Sequence, residues 1–264
     1  MTDESCVAIE VTKEIPFFGE GDTLESRLRQ VSLRGFPHIQ IYENSSFTLD
    51  DLTPQQIPAT LYTPQARVYQ THLDRIGKLQ ELFLREGIDI LQLVAGYDFT
   101  ATSESGEQSE WTMIPPVVEN FRIPRSEKGK LDYASIIGKE LQEKLDSMNL
   151  GLNPAALNLP HKNSLGYFNL INDGSHRIHY GLQNGGVTVI TAHNITPGFP
   201  YYAAPQEYDR IQVFPERTEA LEKLETKIHI VESPGHKELY RLFPSGGIKS
   251  GEIRHDPKIH RKKN

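Results

Sequence analysis

Apolar positions fall into two rhythms along the chain. From Thr71 to Glu86, Leu73, Ile76, Leu79 and Phe83 recur at helical spacing with Leu82 beside them, while Asp74, Lys78, Glu81 and Arg85 face away. This predicts an amphipathic helix closed by Glu86-Gly87. Thr23 to Leu33 repeats the rhythm in Leu24, Leu28 and Val31, and Tyr133 to Met148 does so in Ile136, Ile137, Leu141 and Leu145. Strands are predicted over Val7 to Val11, Phe36 to Tyr42, Ile88 to Val94, Trp111 to Val118, Tyr167 to Ile171 and Val187 to Ile190. Pro115 and Pro116 restrict the fourth of these to pairing through its later part. Thr48 to Ala59, with Pro54 and Pro58, reads as a connector, Thr100 to Glu110 as a surface loop, and Leu150 to Asn163 as a loop long enough to lie over a neighbouring site. Further on, Pro197 to Tyr208 is aromatic and proline-rich, which suits a pocket wall, a base-stacking surface or the edge of a core. Helical spacing over Glu216 to Glu225, a brief strand over Ile228 to Val231 and a short helix over Lys237 to Phe243 follow, then a glycine turn, Phe243 to Ile248, that matches neither a Walker A loop nor a dinucleotide fingerprint, which leaves its amides a weak phosphate candidate.

Gly166 to Ile190 is the most informative stretch. A strand bounded by Asn172-Asp173-Gly174 leads to Ser175 as N-cap, a short helix carrying Ile178 and Leu182, a stop at Asn184-Gly185-Gly186, and a second strand. Asp173, Gly174, Ser175, His176 and Arg177 therefore collect where a strand meets a helix. Backbone N–H groups without intrahelical partners and the positive end of a helix dipole make such a junction a seat for an anion. Arg177 offers a planar fork for phosphate, or a buried ion pair with Asp173 or Glu119; His176 can exchange a proton near neutral pH. Asp173 suits either Mg2+ bridging phosphates or a helix cap. Glu119, at the end of the Pro-Pro strand, is a further carboxylate for base or metal duty. A zinc site of His176, His179 and His193 lacks a completing Glu or Cys at a recognised spacing.

Asp173-Gly174-Ser175-His176-Arg177, set between a strand and a short helix, resembles the Asp-Gly-x-His-Arg signature of the ParB and sulfiredoxin-like superfamily. Upstream, the helix from Leu73 to Glu86 and the run Ile114-Pro115-Pro116-Val117-Val118 resemble the helix and Pro-Pro-aliphatic strand that precede it there. The resemblance covers about half of the chain. It implies a nucleoside triphosphate at the junction, ATP or CTP with Mg2+, its phosphates on the backbone amides and on His176 and Arg177. Ser175 stands where sulfiredoxins carry their reactive Cys. The approach Thr63-Pro64-Gln65-Ala66-Arg67 lacks the carboxylate of free-serine kinases; its Pro64 and Arg67 look like the Pro-x-Arg of partitioning members, whose basic helix-turn-helix is absent after the signature.

Composition narrows the remaining choices. A net charge of -7 argues against a surface that coats DNA, yet Lys249, Arg254, Lys258, Arg261, Lys262 and Lys263 make the C-terminal tail basic. That tail is either solvated or a contact to DNA. Cys6 is the single cysteine, no run is apolar enough to span a bilayer, and the acidic start is unlike a secretory signal, so cytoplasmic residence is expected. The expected architecture is α/β (α+β mixed): an N-terminal elaboration over residues 1–60 packed on the core, a ParB/sulfiredoxin-like domain over 61–245 with an inserted helix and loop at about 125–163, and a basic tail over 246–264. The expected function is nucleotide-dependent phosphate chemistry, namely hydrolysis or phosphotransfer. The competing expectation is a DNA-associated binding or nuclease-like module using the same junction for a backbone phosphate.

Overall fold

The computed structural model describes residues 6–29, 32–33, 36–40, 42–55, 57, 61–63, 67–122, 167–193 and 206–216. In chain order its elements are β1 (Cys6–Pro16), α1 (Leu24–Arg29), β2 (Ser32–Leu33), β3 (Phe36–Gln40), β4 (Ser46–Leu52), β5 (Leu61–Thr63), β6 (Arg67–Tyr69), α2 (Gln70–Arg85), β7 (Ala95–Ser103), β8 (Gln108–Met113), β9 (Val117–Arg122), β10 (Tyr167–Asp173), α3 (Ser175–Gln183), β11 (Val187–His193), β12 (Gln206–Glu207), a 3-10 turn (Tyr208–Arg210) and β13 (Gln212–Phe214). The fold class is α/β with mixed sheets, as expected. The helix over Tyr133 to Met148, the loop over Leu150 to Asn163, most of the aromatic run, the segments from Lys237 onward and the basic tail lie outside the described residues.

A six-stranded mixed sheet, in the order β12-β5-β10-β9-β11-β4, organises the molecule. β10 runs antiparallel to β9 and parallel to β5, while β11 runs parallel to β9. Side chains alternate between the faces of a sheet. One face therefore gathers Leu52, Leu61, Val118, Ile171, Val187 and Val189, which pack with Ile178 and Leu182 of α3. The i, i+4 pair predicted to face the core does so.

β1, β7 and β8 form a second, antiparallel sheet. Ile76, Leu79 and Phe83 of α2 pack with Phe99, Ala101, Trp111 and Met113 on its inner face. α2 also packs on α3. At their crossing, a Cβ added to Gly77 would lie 3.2 Å from the hydroxyl of Tyr180, so the absent side chain gives the tyrosine its room. Asp22 ties β1 to α1 by accepting from Arg27 and from Lys13 (2.8 Å), contacts that hold its carboxyl well below the usual range.

Four expectations are corrected. Thr48 to Ala59 is not all connector: Ser46–Leu52 is an edge strand paired with β11, and it ends before Pro54. Part of the expected N-terminal elaboration is thus built into the central sheet. Ile88 to Val94 is irregular, because Asp89 and Gln80 capture the amides of Leu91 and Ile90 that a strand would use. Thr100 to Glu110 is mostly hairpin, with Gly106 at a positive φ of 84° in its tip. Its polar residues take the outer face while Phe99, Ala101 and Trp111 take the inner one, which is how an antiparallel sheet with one solvated face is composed. Finally, Pro115-Pro116 splits the expected strand from Trp111 to Val118 into β8 and β9, in different sheets.

Phe83 is fully buried, with its ring edge-to-face on Phe99 at 4.9 Å. Phe83→Ala is expected to cost ~3–5 kcal/mol of unfolding free energy by urea denaturation; a loss under ~1 kcal/mol would show that α2 does not anchor the second sheet.

Candidate functional site

The junction forms where β10 ends. Asp173 pairs with Val117 across a register shift, and Gly174 follows at φ 82°, ψ 26°, a left-handed conformation in which a Cβ is strained. A Cβ there would also fall 2.8 Å from Cβ of Pro116. Glycine is thus required twice at this corner, and the Pro-Pro run is what it packs against. Gly174, not the expected Ser175, is the N-cap: Ile178 N–H donates to its carbonyl (2.8 Å), and Ser175 is the first helical residue. The cap carries no side-chain hydrogen bond and the first turn no acidic residue. Ser175 Oγ lies 3.5 Å from Oγ1 of Thr63, the last residue of β5.

A second helix starts beside it. α2 begins after Tyr69, again with no side-chain cap and no acid in its first turn. The two starts meet through histidines: Nδ1 of His72 and Nε2 of His176 share a hydrogen bond of 3.2 Å, their rings edge-to-face at 4.8 Å. Tyr69 stacks on His176 at 5.9 Å, and the guanidinium of Arg67 lies over Phe214. Two dipoles thus present their positive ends at one place, and neither helix has an acidic residue in its first turn. Sequence reasoning missed Tyr69 and His72. The available signal was the place of His72 four residues before Ile76 on the apolar stripe of α2, in its first turn.

The predicted residues are placed as follows. Gly174, Ser175, His176 and Arg177 come together at the corner, with Asp173 ending the strand that leads into it. His176 is 7% exposed and Arg177 2%. Nη1 of Arg177 lies 2.7 Å from Sδ of Met113, so the guanidinium sits inside the fold behind the corner. Because a guanidinium keeps its proton, this is a fixed internal positive charge.

Glu119 is elsewhere. It lies within β9, not at its end, on the sheet face opposite Val118 and α3, fully buried, with Oε1 accepting from the Tyr42 hydroxyl at 2.6 Å. Strand alternation therefore separates it from His176 and Arg177. His179 hydrogen-bonds Tyr208 and Gln183, and His193 lies at the far end of β11. No group of three or more His, Cys, Asp or Glu able to hold a metal ion occurs among the described residues. Nor does any described helix have the length and apolarity to cross a membrane.

A family model described as the ParB CE domain matches residues 23–131. The match spans α1 to β9 and ends before the corner, so it supports the ParB and sulfiredoxin-like resemblance on residues other than Asp173 to Arg177. No curated protein and no solved structure matches the chain.

Burial holds the His179 ring below its ordinary pKa of 6.5. The native state then binds fewer protons than the unfolded chain just below that value. Stability from this group is complete above about pH 6.5 and falls as pH drops through the lower folded pKa. His179→Gln is expected to lose less stability than the parent between pH 7.5 and 5.5, followed by thermal unfolding; equal slopes would contradict this. Gly174→Ala is expected to destabilise by more than ~1 kcal/mol, since it adds left-handed strain and a collision with Pro116; an unchanged Tm would refute the packing described for the corner.

Proposed function

With a ParB CE domain matched over residues 23–131, we propose that this ParB-type module binds the phosphates of a nucleoside triphosphate, ATP or CTP, at the corner from Asp173 to Arg177, and hydrolyses or transfers the terminal phosphate. The observation that carries this reading is the convergence of two helix starts, neither with a side-chain hydrogen bond at its cap nor an acidic residue in its first turn, around the His72–His176 contact. The backbone N–H groups of Ser175, His176 and Arg177 open α3, and in this proposal a phosphate oxygen accepts from them. Arg177 acts from behind the helix turn as a buried positive charge, while the Ser175 hydroxyl stands beside Thr63. In this proposal His176, sharing one hydrogen with His72, holds or releases a proton beside the phosphates. Glu119 is given no part in the reaction, because it lies on the other face of the sheet.

Mg2+ is the ion this reading calls for, because it takes one or two protein carboxylates and completes its shell with phosphate oxygens and water. Asp173 would hold it. When bound, the ion neutralises charge on the phosphate oxygens.

A second reading is favoured by the basic stretch from Lys249 to Lys263 and by the ParB character of the match: the corner takes a DNA backbone phosphate, with the tail adding contacts.

Ser175→Asp separates these readings from folding. A carboxylate in the first turn is compatible with the helix dipole but repels a phosphate. For the parent, ATP or CTP with Mg2+ at about 100 times Kd should add ~2.7 kcal/mol of stability. Ser175→Asp should fold with unchanged or higher Tm and lose that response. If no nucleotide shifts the parent Tm, while salt-sensitive duplex binding disappears on deleting Ile248 to Asn264, the second reading replaces the first.

A further inference from the structure

β4 closes one side of the central sheet, and the bonding of its neighbour fixes which of its backbone groups are used. The amides of Thr188 and Ile190 in β11 donate away from β4, to the carbonyls of Leu91 (2.7 Å) and Pro116 (2.8 Å). Backbone groups alternate sides along a strand. Val187, Val189, Thr191 and His193 therefore bond toward β4, where they pair with Leu52, Asp50, Thr48 and Ser46. The N–H and C=O groups of Phe47, Leu49 and Asp51 are left aimed outward, and no described strand pairs with them.

Such an edge is ordinarily blocked by a bulge, a proline, a lysine or extreme shortness. β1, the long edge strand of the second sheet, carries two register shifts and the exposed Lys13. β4 has none of these devices: its seven residues pair in unbroken register, Pro54 lies beyond its end, and its only charges are two acids. Asp50 and Asp51 are exposed and, being adjacent, stand on opposite faces of the sheet. Asp50 accepts from the Thr48 hydroxyl (2.8 Å) and Asp51 from the Thr188 hydroxyl (2.7 Å), which fixes each carboxylate beside the edge.

Outward main-chain groups at every second residue select an extended segment. Two consecutive acids on opposite faces select two consecutive bases within it, because neighbouring side chains of an added strand alternate in the same way. The chain contains such a segment. Lys258-Ile259-His260-Arg261-Lys262-Lys263 sets three bases in succession within a protein of net charge -7. Residues 217–257 lie between it and the described fold, a length of up to roughly 140 Å, so the connection does not restrict where it docks. We infer that residues 258–263 add to the free edge of β4, their backbone on Phe47, Leu49 and Asp51 and their consecutive bases on Asp50 and Asp51. The bases so held are those a DNA contact would use, so docking and DNA binding exclude one another. The inference is independent of the phosphate proposal at the corner.

Hydrogen exchange of the full chain, read amide by amide by nuclear magnetic resonance, tests this with an internal control. The Thr48 and Asp50 amides bond to β11 with or without the tail and are expected to exchange slowly throughout. The Phe47, Leu49 and Asp51 amides are expected to exchange at least about tenfold more slowly in the parent than in Arg261→Gln/Lys262→Gln/Lys263→Gln, and high salt is expected to narrow that gap. Asp50→Asn/Asp51→Asn is expected to release the same three amides from the other partner. Thermal unfolding checks that this variant folds; if it does not, the tail variant decides alone. Exchange of the three amides at one common rate in parent and variants overturns the inference. Protection that grows with protein concentration and survives the tail substitutions assigns the edge to a second copy and overturns it too.

Discussion

The contact between Gly174 and Pro116 sets the geometry on which the site depends. β9 and β10 are neighbours, so the start of one and the end of the other lie at the same edge of the central sheet. With Pro116 within van der Waals reach of the turn, the chain leaving β10 can pass only as a glycine in the left-handed region. That turn aims α3 across the sheet, where Ile178 and Leu182 bury themselves on Val118, Ile171 and Val189. Gly77 then lets Tyr180 approach α2, bringing the start of the second helix to the start of the first. The meeting of the two helix starts is a consequence of this packing.

Much of this was legible in the sequence because its signals are local. The stripe of α2, the Ile178–Leu182 pair and the double-glycine stop after α3 are set by residues within a few turns of one another, and they stand as read. What was not legible depends on partners distant in the chain. Thr100 to Thr102 look like loop until β1 and β8 are placed on either side of β7, and Ser46–Leu52 becomes a strand only because β11 offers it an edge. Ile88 to Val94 looks like a strand by apolar content, yet the carboxylate of Asp89 binds its backbone locally.

The candidate site divides along the same line. The cluster from Gly174 to Arg177 is contiguous in sequence and stays together in space. Glu119 was drawn toward it by residue type alone, and strand alternation puts its carboxylate on the other face with Tyr42. His72 joins the corner from a position 104 residues away; its place on the α2 stripe marks it as buried, but nothing local names His176 as its partner. The ParB CE match and the corner signature fall on different parts of the chain, so the two lines of resemblance support one another without sharing residues. Arg177 is buried, with its guanidinium against Met113 and not at the surface of the corner.

The central claim is that backbone N–H groups at the start of α3 receive a phosphate. Amide nuclear magnetic resonance of the full chain reads those groups directly. On addition of ATP or CTP with Mg2+, the resonances of Ser175, His176 and Arg177 are expected to shift most, saturably and with downfield proton movement, while amides at the C-terminal end of α3 stay in place. Shifts confined to other parts of the chain, or none at saturating nucleotide, would contradict the account.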